Sequence, residues 1–240
     1  GVYIYNLRTE KYTHLRSSEY DPYSLSDNAI YSFCKDREDG IWIGSYFGGV
    51  NYYPRSYTNF EKYYPKGTEN SLHGKRVREF CRDNHGVLWI GTEDGGLNRF
   101  NLNTKEFSFF APSAGFTNIH GLCLVDDNLW VGTFSKGLKI IDTRTGNILK
   151  TYQKNNSPRS LIDNSIFAIS KTATGDIYLG TMFGLVRYNK QSDDFDRIPE
   201  LNGKFVYDIK EDSDGNIWLA TYANGAYCYN VNDRKWKNYV

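Results

Sequence analysis

The sequence predicts an all-β protein, a β-propeller of four-stranded blades, and three observations carry that prediction. A unit of 40 to 48 residues recurs through the chain. Each unit divides into short strands by two-residue alternation and turn residues. The composition is rich in rings, with 20 Tyr, 14 Phe and 5 Trp, and such residues suit pleated, half-buried surfaces. Four strands in a repeat of this length mark a propeller rather than a leucine-rich or helical solenoid.

The clearest copies of the unit run from Asp36 to Tyr53, Asp83 to Phe100, Asp126 to Ile141, Thr172 to Tyr188 and Asp212 to Tyr229. Their anchoring aromatics Trp42, Trp89, Trp130, Tyr178 and Trp218 stand 47, 41, 48 and 40 residues apart. Residues 1–19 read as only the third and fourth strands of a blade. Five blades follow, at about 24–65, 71–111, 117–153, 160–199 and 203–240.

Within each blade the first strand is an alternating run such as IYSFCKD (Ile30 to Asp36), VREFCRD (Val77 to Asp83) or VYDIKED (Val206 to Asp212). A tight Asp/Gly turn comes next, because Gly tolerates positive φ and Asp bonds the neighbouring backbone. The second strand is WIG, WVG, YLG or WLA, and a glycine leads into the third. Fourth strands are expected at Phe60 to Tyr63, Phe107 to Phe110 and Trp236 to Tyr239. The small residue after each anchor (Gly44, Gly91, Gly132, Gly180, Ala220) lets neighbouring sheets pack face to face. Because the 240 residues hold five blades and a half-blade with no inner strands to complete it, the expectation is a single propeller fragment of a larger, seven-bladed ring.

The net charge of +1 leaves no basic surplus of the kind that binding a nucleic-acid backbone requires. No stretch reaches the roughly 18 to 20 apolar residues of a membrane-spanning helix. Cys34, Cys81, Cys123 and Cys228 form no CxxC pair and are expected as buried free thiols. Histidines 14, 73, 85 and 120 form no HxH or HExxH pair, so neither a metal nor any other cofactor is expected. The Asp-rich turns at Asp39, Asp83 and Asp214 are read as turn chemistry rather than calcium sites.

The blade consensus D-x-x-G-x-(I/L)-W-(I/V)-G-T-x-x-G-G-(L/V), preceded by S-L-x-x-N, resembles the repeat of the two-component regulator propeller family. The match is closest at Asp83 to Leu97 and Asp212 to Ala226; Tyr178 replaces Trp, Ala220 replaces Gly, and the turn between Leu122 and Asn128 is short. That resemblance implies the periplasmic sensor region of a hybrid two-component system, of the kind found in Bacteroides and its relatives. It further implies an oligosaccharide ligand, an adjacent propeller or second subunit as partner, and a histidine kinase outside this sequence.

If strands run from inside to outside within a blade, the loops joining second and third strands share a face with those leading into first strands. On that face the candidate ligand-binding residues are Tyr46, Phe47, Arg76, Glu93, Asp94, Phe134, Lys136, Phe183, Tyr222 and Asn224, with Met182, Asn28, Asn118 and Asn164 nearby. Pyranose C–H faces stack on such rings while amide, carboxylate and guanidinium groups bond the hydroxyls. The bland alternative is that the rings fill gaps between blades and the polar groups are solvated loop ends. Catalysis is not expected: a glycosidase needs carboxylates about 5 to 9.5 Å apart across a bond, and adjacent Glu93 and Asp94 are poorly placed for that. A protein-interaction scaffold without a small ligand remains the competing reading.

Overall fold

The computed structural model describes residues 1–56, 60–110 and 116–240, which form two compact units, Gly1–Thr68 and Glu69–Val240. Ala111, the expected end of the second blade, lies outside the described residues.

In the first unit, β1 (Val2–Asn6) and β2 (Lys11–Leu15) form an antiparallel hairpin with Val2 opposite Leu15. Asn6 closes its turn, the side-chain oxygen accepting from the N–H groups of Arg8 and Thr9. The first blade is β3 (Ile30–Lys35), β4 (Ile41–Ser45) and β5 (Val50–Tyr53), in that order. Val2, Leu25 and Ile43 form the buried core of this unit.

The fourth strand expected at Phe60 to Tyr63 is not a strand. Phe60 is 81% exposed, and the segment packs on the loop before β3 instead: Lys62 Nζ lies 4.1 Å from the Tyr23 ring, and Tyr64 meets that ring edge-on at 5.4 Å. Pro54, which has no N–H to donate, follows β5 directly.

The second unit holds four complete blades. They are β6 (Val77–Arg82), β7 (Val87–Thr92), β8 (Gly96–Asn101), β9 (Phe107–Phe110); β10 (Ile119–Val125), β11 (Asn128–Thr133), β12 (Leu138–Asp142), β13 (Ile148–Tyr152); β14 (Ile166–Lys171), β15 (Ile177–Thr181), β16 (Gly184–Asn189), β17 (Asp194–Arg197); and β18 (Val206–Glu211), β19 (Ile217–Thr221), β20 (Ala226–Asn230), β21 (Lys235–Tyr239). Each is an antiparallel meander in chain order, and β6, β10, β14 and β18 lie beside one another in succession.

Apolar layers fill the spaces between successive blades. Trp89 and Leu97 meet Ile119 and Leu129; Trp130 and Leu138 meet Ile166 and Leu179; Tyr178 and Leu185 meet Val206 and Leu219. The recurring glycine sets this spacing. A Cβ on Gly91, Gly132 or Gly180 would stand 2.6, 2.7 or 2.8 Å from the side chain of Ile119, Ile166 or Val206, the first residue of the next inner strand.

The consensus polar residues are structural. The first Asp of the turn accepts from the indole N–H of the anchor, at 3.0 Å for Asp36 and Trp42, 2.9 Å for Asp83 and Trp89, and 2.8 Å for Asp212 and Trp218. Its other oxygen takes two backbone N–H groups of the turn, His85 and Val87 in the case of Asp83. The turn-chemistry reading therefore holds for Asp83, but in the other two turns the work falls to Asp36 and Asp212 rather than to Asp39 and Asp214. The Thr after the glycine closes the next loop: Thr92, Thr133 and Thr181 donate to the carbonyls of Gly96, Gly137 and Gly184, each at 2.9 Å. The four thiols are free as expected, but only Cys228 is buried; Cys81 and Cys123 are partly buried and Cys34 is exposed.

Candidate functional site

Two kinds of loop do share a face of each blade. The first residue past β4, β7, β11, β15 or β19 donates its N–H to a carbonyl just before the same blade's inner strand. The pairs are Tyr46 to Ala29, Glu93 to Arg76, Phe134 to Asn118, Met182 to Ser165 and Tyr222 to Phe205, all between 2.9 and 3.1 Å.

Every inner strand also bulges where it begins. Its register against the second strand shifts between its first and third residues, leaving the second residue unpaired: Tyr31, Arg78, His120, Phe167 and Tyr207. A bulge turns its side chain out of the regular alternation. Strand alternation alone therefore passes over these positions, although in the aligned copies they stand out as one variable residue between a β-branched residue and a small or polar one.

In the second unit the bulged residues and the loops make a continuous set of rings. Phe134 lies 5.8 Å from His120, His120 4.6 Å from Phe167, Phe167 4.4 Å from Phe205 and 5.6 Å from Tyr207, and Phe205 5.8 Å from Tyr222. The Arg78 guanidinium stands over the Tyr207 ring at 4.8 Å, and Glu93 reaches Arg78 Nε at 3.7 Å and Arg76 at 4.0 Å. Phe134 and Tyr207 are each 40% exposed and Tyr222 is 69% exposed, so these three rings present open faces, whereas His120 and Phe167 are buried.

Two polar atoms in this set are buried and unpaired, Asn118 Oδ1 and His120 Nδ1. Burial, and then the nearby charge of Arg78, push the His120 imidazole below its ordinary pKa, against a smaller opposing pull from Glu93. The ring is therefore neutral near pH 7 and available for an uncharged hydrogen bond.

Of the sequence-derived candidates in this unit, the structure brings Phe134, Tyr222, Glu93 and Arg76 to the set. Asp94 serves the scaffold: its carboxylate accepts from the N–H groups of Lys75 and Arg76, which hold it below the usual carboxylate range. Lys136 is tied through its backbone to Thr133. Among the described residues Phe183 is half-exposed but makes no ring contact, and the Asn224 side chain bonds only to the carbonyl of its neighbour Ala223. Asn164 accepts from the N–H of Lys154 and, in the first unit, Asn28 from that of Ser17, so both are loop ties.

In the first unit, Tyr46 and Phe47 join the bulged Tyr31: Tyr31 meets Tyr46 edge-on at 5.0 Å, and Tyr46 meets Phe47 at 4.1 Å. All three are more than half exposed. Among the described residues no group of His, Cys, Asp and Glu is arranged to hold a metal ion, and no helix is long and apolar enough to cross a membrane.

Meandering sheets with this loop face are the blades of a β-propeller. Three stretches, residues 24–47, 71–94 and 200–223, match the model of the two component regulator propeller. No curated protein matches the chain.

Among solved structures, the extracellular domain of the hybrid two component system BT3049 from B. thetaiotaomicron is 24% identical with a TM-score of 0.60, over 90% of this chain and 29% of that one. The extracellular domain of BT4673 from the same organism is 22% identical with a TM-score of 0.61, over 88% and 27%. A virginiamycin B lyase from Staphylococcus aureus is 14% identical with a TM-score of 0.54, over 99% and 76%. These likenesses show the fold. The chain spans under a third of the length of the two B. thetaiotaomicron domains.

Proposed function

We propose that this chain is part of the extracytoplasmic sensor of a hybrid two-component system of the Bacteroides type, located in the periplasm, and that it holds an oligosaccharide on the face where the inner strands bulge. The observation that carries the proposal is the run of rings Phe134, His120, Phe167, Phe205, Tyr207 and Tyr222 with two buried, unpaired polar atoms beside it. Exposed rings offer stacking faces for sugar C–H groups, while Asn118 Oδ1 and His120 Nδ1 lack partners that hydroxyls would supply. Arg78 and Glu93 add a charged pair at the edge.

The family repeats and the fold shared with extracellular domains of hybrid two component systems support the sensor reading. Nothing in the site has the paired carboxylates of a glycosidase, so the reading is of capture without turnover. A bound sugar shifts signalling only if it favours one arrangement of the sensor over another. The signal then passes to an adjacent propeller or second subunit and to a kinase outside this sequence.

The test is a melting-temperature screen against defined plant, host and microbial oligosaccharides. A ligand at about 100 times its Kd stabilises the folded protein by ~2.7 kcal/mol, enough to raise the midpoint by a few degrees. A selective rise that Phe134→Ala abolishes supports the proposal. No rise with any glycan, in a protein that still melts cooperatively, turns the reading to a protein-interaction scaffold.

A further inference from the structure

The cleft between the third and fourth blades opens on the face opposite the loops described above, beside the turns that join first and second strands. It encloses about 320 Å³, near the lower end of the range for small-molecule sites. Its floor and walls include Trp130, Ile140 and Ile177, and Lys150, Lys171 and Lys190 stand at its edge.

Trp130 differs from the other tryptophan anchors. In the first, second and fifth blades the indole N–H is taken by the turn Asp. The third blade has the shortened turn, Asp126 and Asp127, and no acceptor among the described residues takes the N–H of Trp130 although the side chain is only 4% exposed. Unlike Asn118 Oδ1 and His120 Nδ1, this N–H is not closed off from solvent, and Trp130 lines the cleft together with Asp126.

Two of the lysines are engaged. Lys150 Nζ lies 2.7 Å from Asp193, which also accepts from the hydroxyls of Tyr152 and Tyr188, and Lys171 Nζ lies 3.1 Å from Asp126. Lys190 has no ion-pair partner among the described residues and leaves the edge with one uncompensated positive charge.

We propose that this cleft binds a small organic carboxylate with a planar or branched apolar body, the body lying against Trp130, Ile140 and Ile177 and the carboxylate meeting Lys190 and the indole N–H. An apolar floor with a few convergent donors is the usual construction of such a site. It is separate from the sugar-binding reading, and neither depends on the other.

Phenylacetate is a suitable probe, with neutral phenylacetamide as its control. The ¹⁵N-labelled chain is titrated with each while the assigned indole resonance of Trp130 is followed. The proposal expects saturable movement of that resonance with phenylacetate, weaker movement with the amide, and about threefold weaker phenylacetate binding in Lys190→Gln, a surface change that leaves the melting midpoint in place. It is overturned if the Trp130 resonance is still at about 5 mM phenylacetate. Equal response to acid and amide overturns it too, because the cleft would then be apolar without preference for an anion.

Discussion

The guanidinium of Arg78, from the inner strand of the second blade, lies 4.8 Å from the centre of the Tyr207 ring, from the inner strand of the fifth. Both residues occupy the bulge of their strand, and their meeting brings blades that are not neighbours in the chain to one patch of surface. Replacing Arg78 with Ala removes the stacked cation and a partner of Glu93, and we expect a stability loss of about 1 kcal/mol by urea denaturation. Arg78→Lys recovers only part of it, because a point charge lacks the flat guanidinium face.

Asp83 ties its turn to the anchor of the second blade. It is buried, and it accepts from the Trp89 indole and from the N–H groups of His85 and Val87. Asp83→Ala strands these donors, Trp89 being fully buried, and should cost about 3 kcal/mol. Asp212→Ala breaks the equivalent bonds beside Trp218, which is 37% exposed, so water replaces part of what is lost and the cost is smaller. Denaturant midpoints of the two variants, compared side by side, check the order.

Gly132 faces Ile166 of the next blade closely enough that an added Cβ would sit 2.7 Å from the Ile166 side chain. Gly132→Ala should therefore destabilise by about 1 to 3 kcal/mol through overpacking. Combining it with Ile166→Val makes room at the contact, and the double variant should lose less than the sum of the two single losses.

Asp193 carries a pH prediction. Lys150, Tyr152 and Tyr188 bond its carboxylate and lower its pKa from the usual 3.8 to about 2. A depressed carboxylate contributes stability above its unfolded pKa and loses that contribution as pH falls through the folded value. The window is thus between about pH 4 and pH 2. Asp193→Asn should flatten the fall of stability across that window and leave its slope between pH 5 and 7 unchanged, as read from melting midpoints along the pH series.

Much of the fold is legible in the sequence because the blade is built from repeated local rules. The Asp that takes the indole N–H, the glycine under the next inner strand and the Thr that closes the following loop each leave a fixed residue at a fixed spacing. The first blade's outer segment departs from the rule because Phe60 finds no buried face and Lys62 and Tyr64 find Tyr23.

The candidate site was legible only in its loops. Phe134 and Tyr222 are exposed rings in loops of matched position, whereas His120, Phe167 and Tyr207 lie inside strands. Their place in the set comes from a bulge, which two-residue alternation does not register. Asp94 reads as a ligand group from its loop position but is spent on the N–H groups of Lys75 and Arg76, a local pairing that only the folded backbone reveals.

The central claim is that the bulged face of the second unit captures a sugar. The most direct test is calorimetric titration of the most stabilising oligosaccharide into the unaltered chain and into Tyr222→Ala, whose ring is 69% exposed and whose loss should spare the fold. The account predicts at least about tenfold weaker binding in the variant, the equivalent of ~1.4 kcal/mol. Equal affinity for the two proteins, with equal melting midpoints in the absence of sugar, would contradict it.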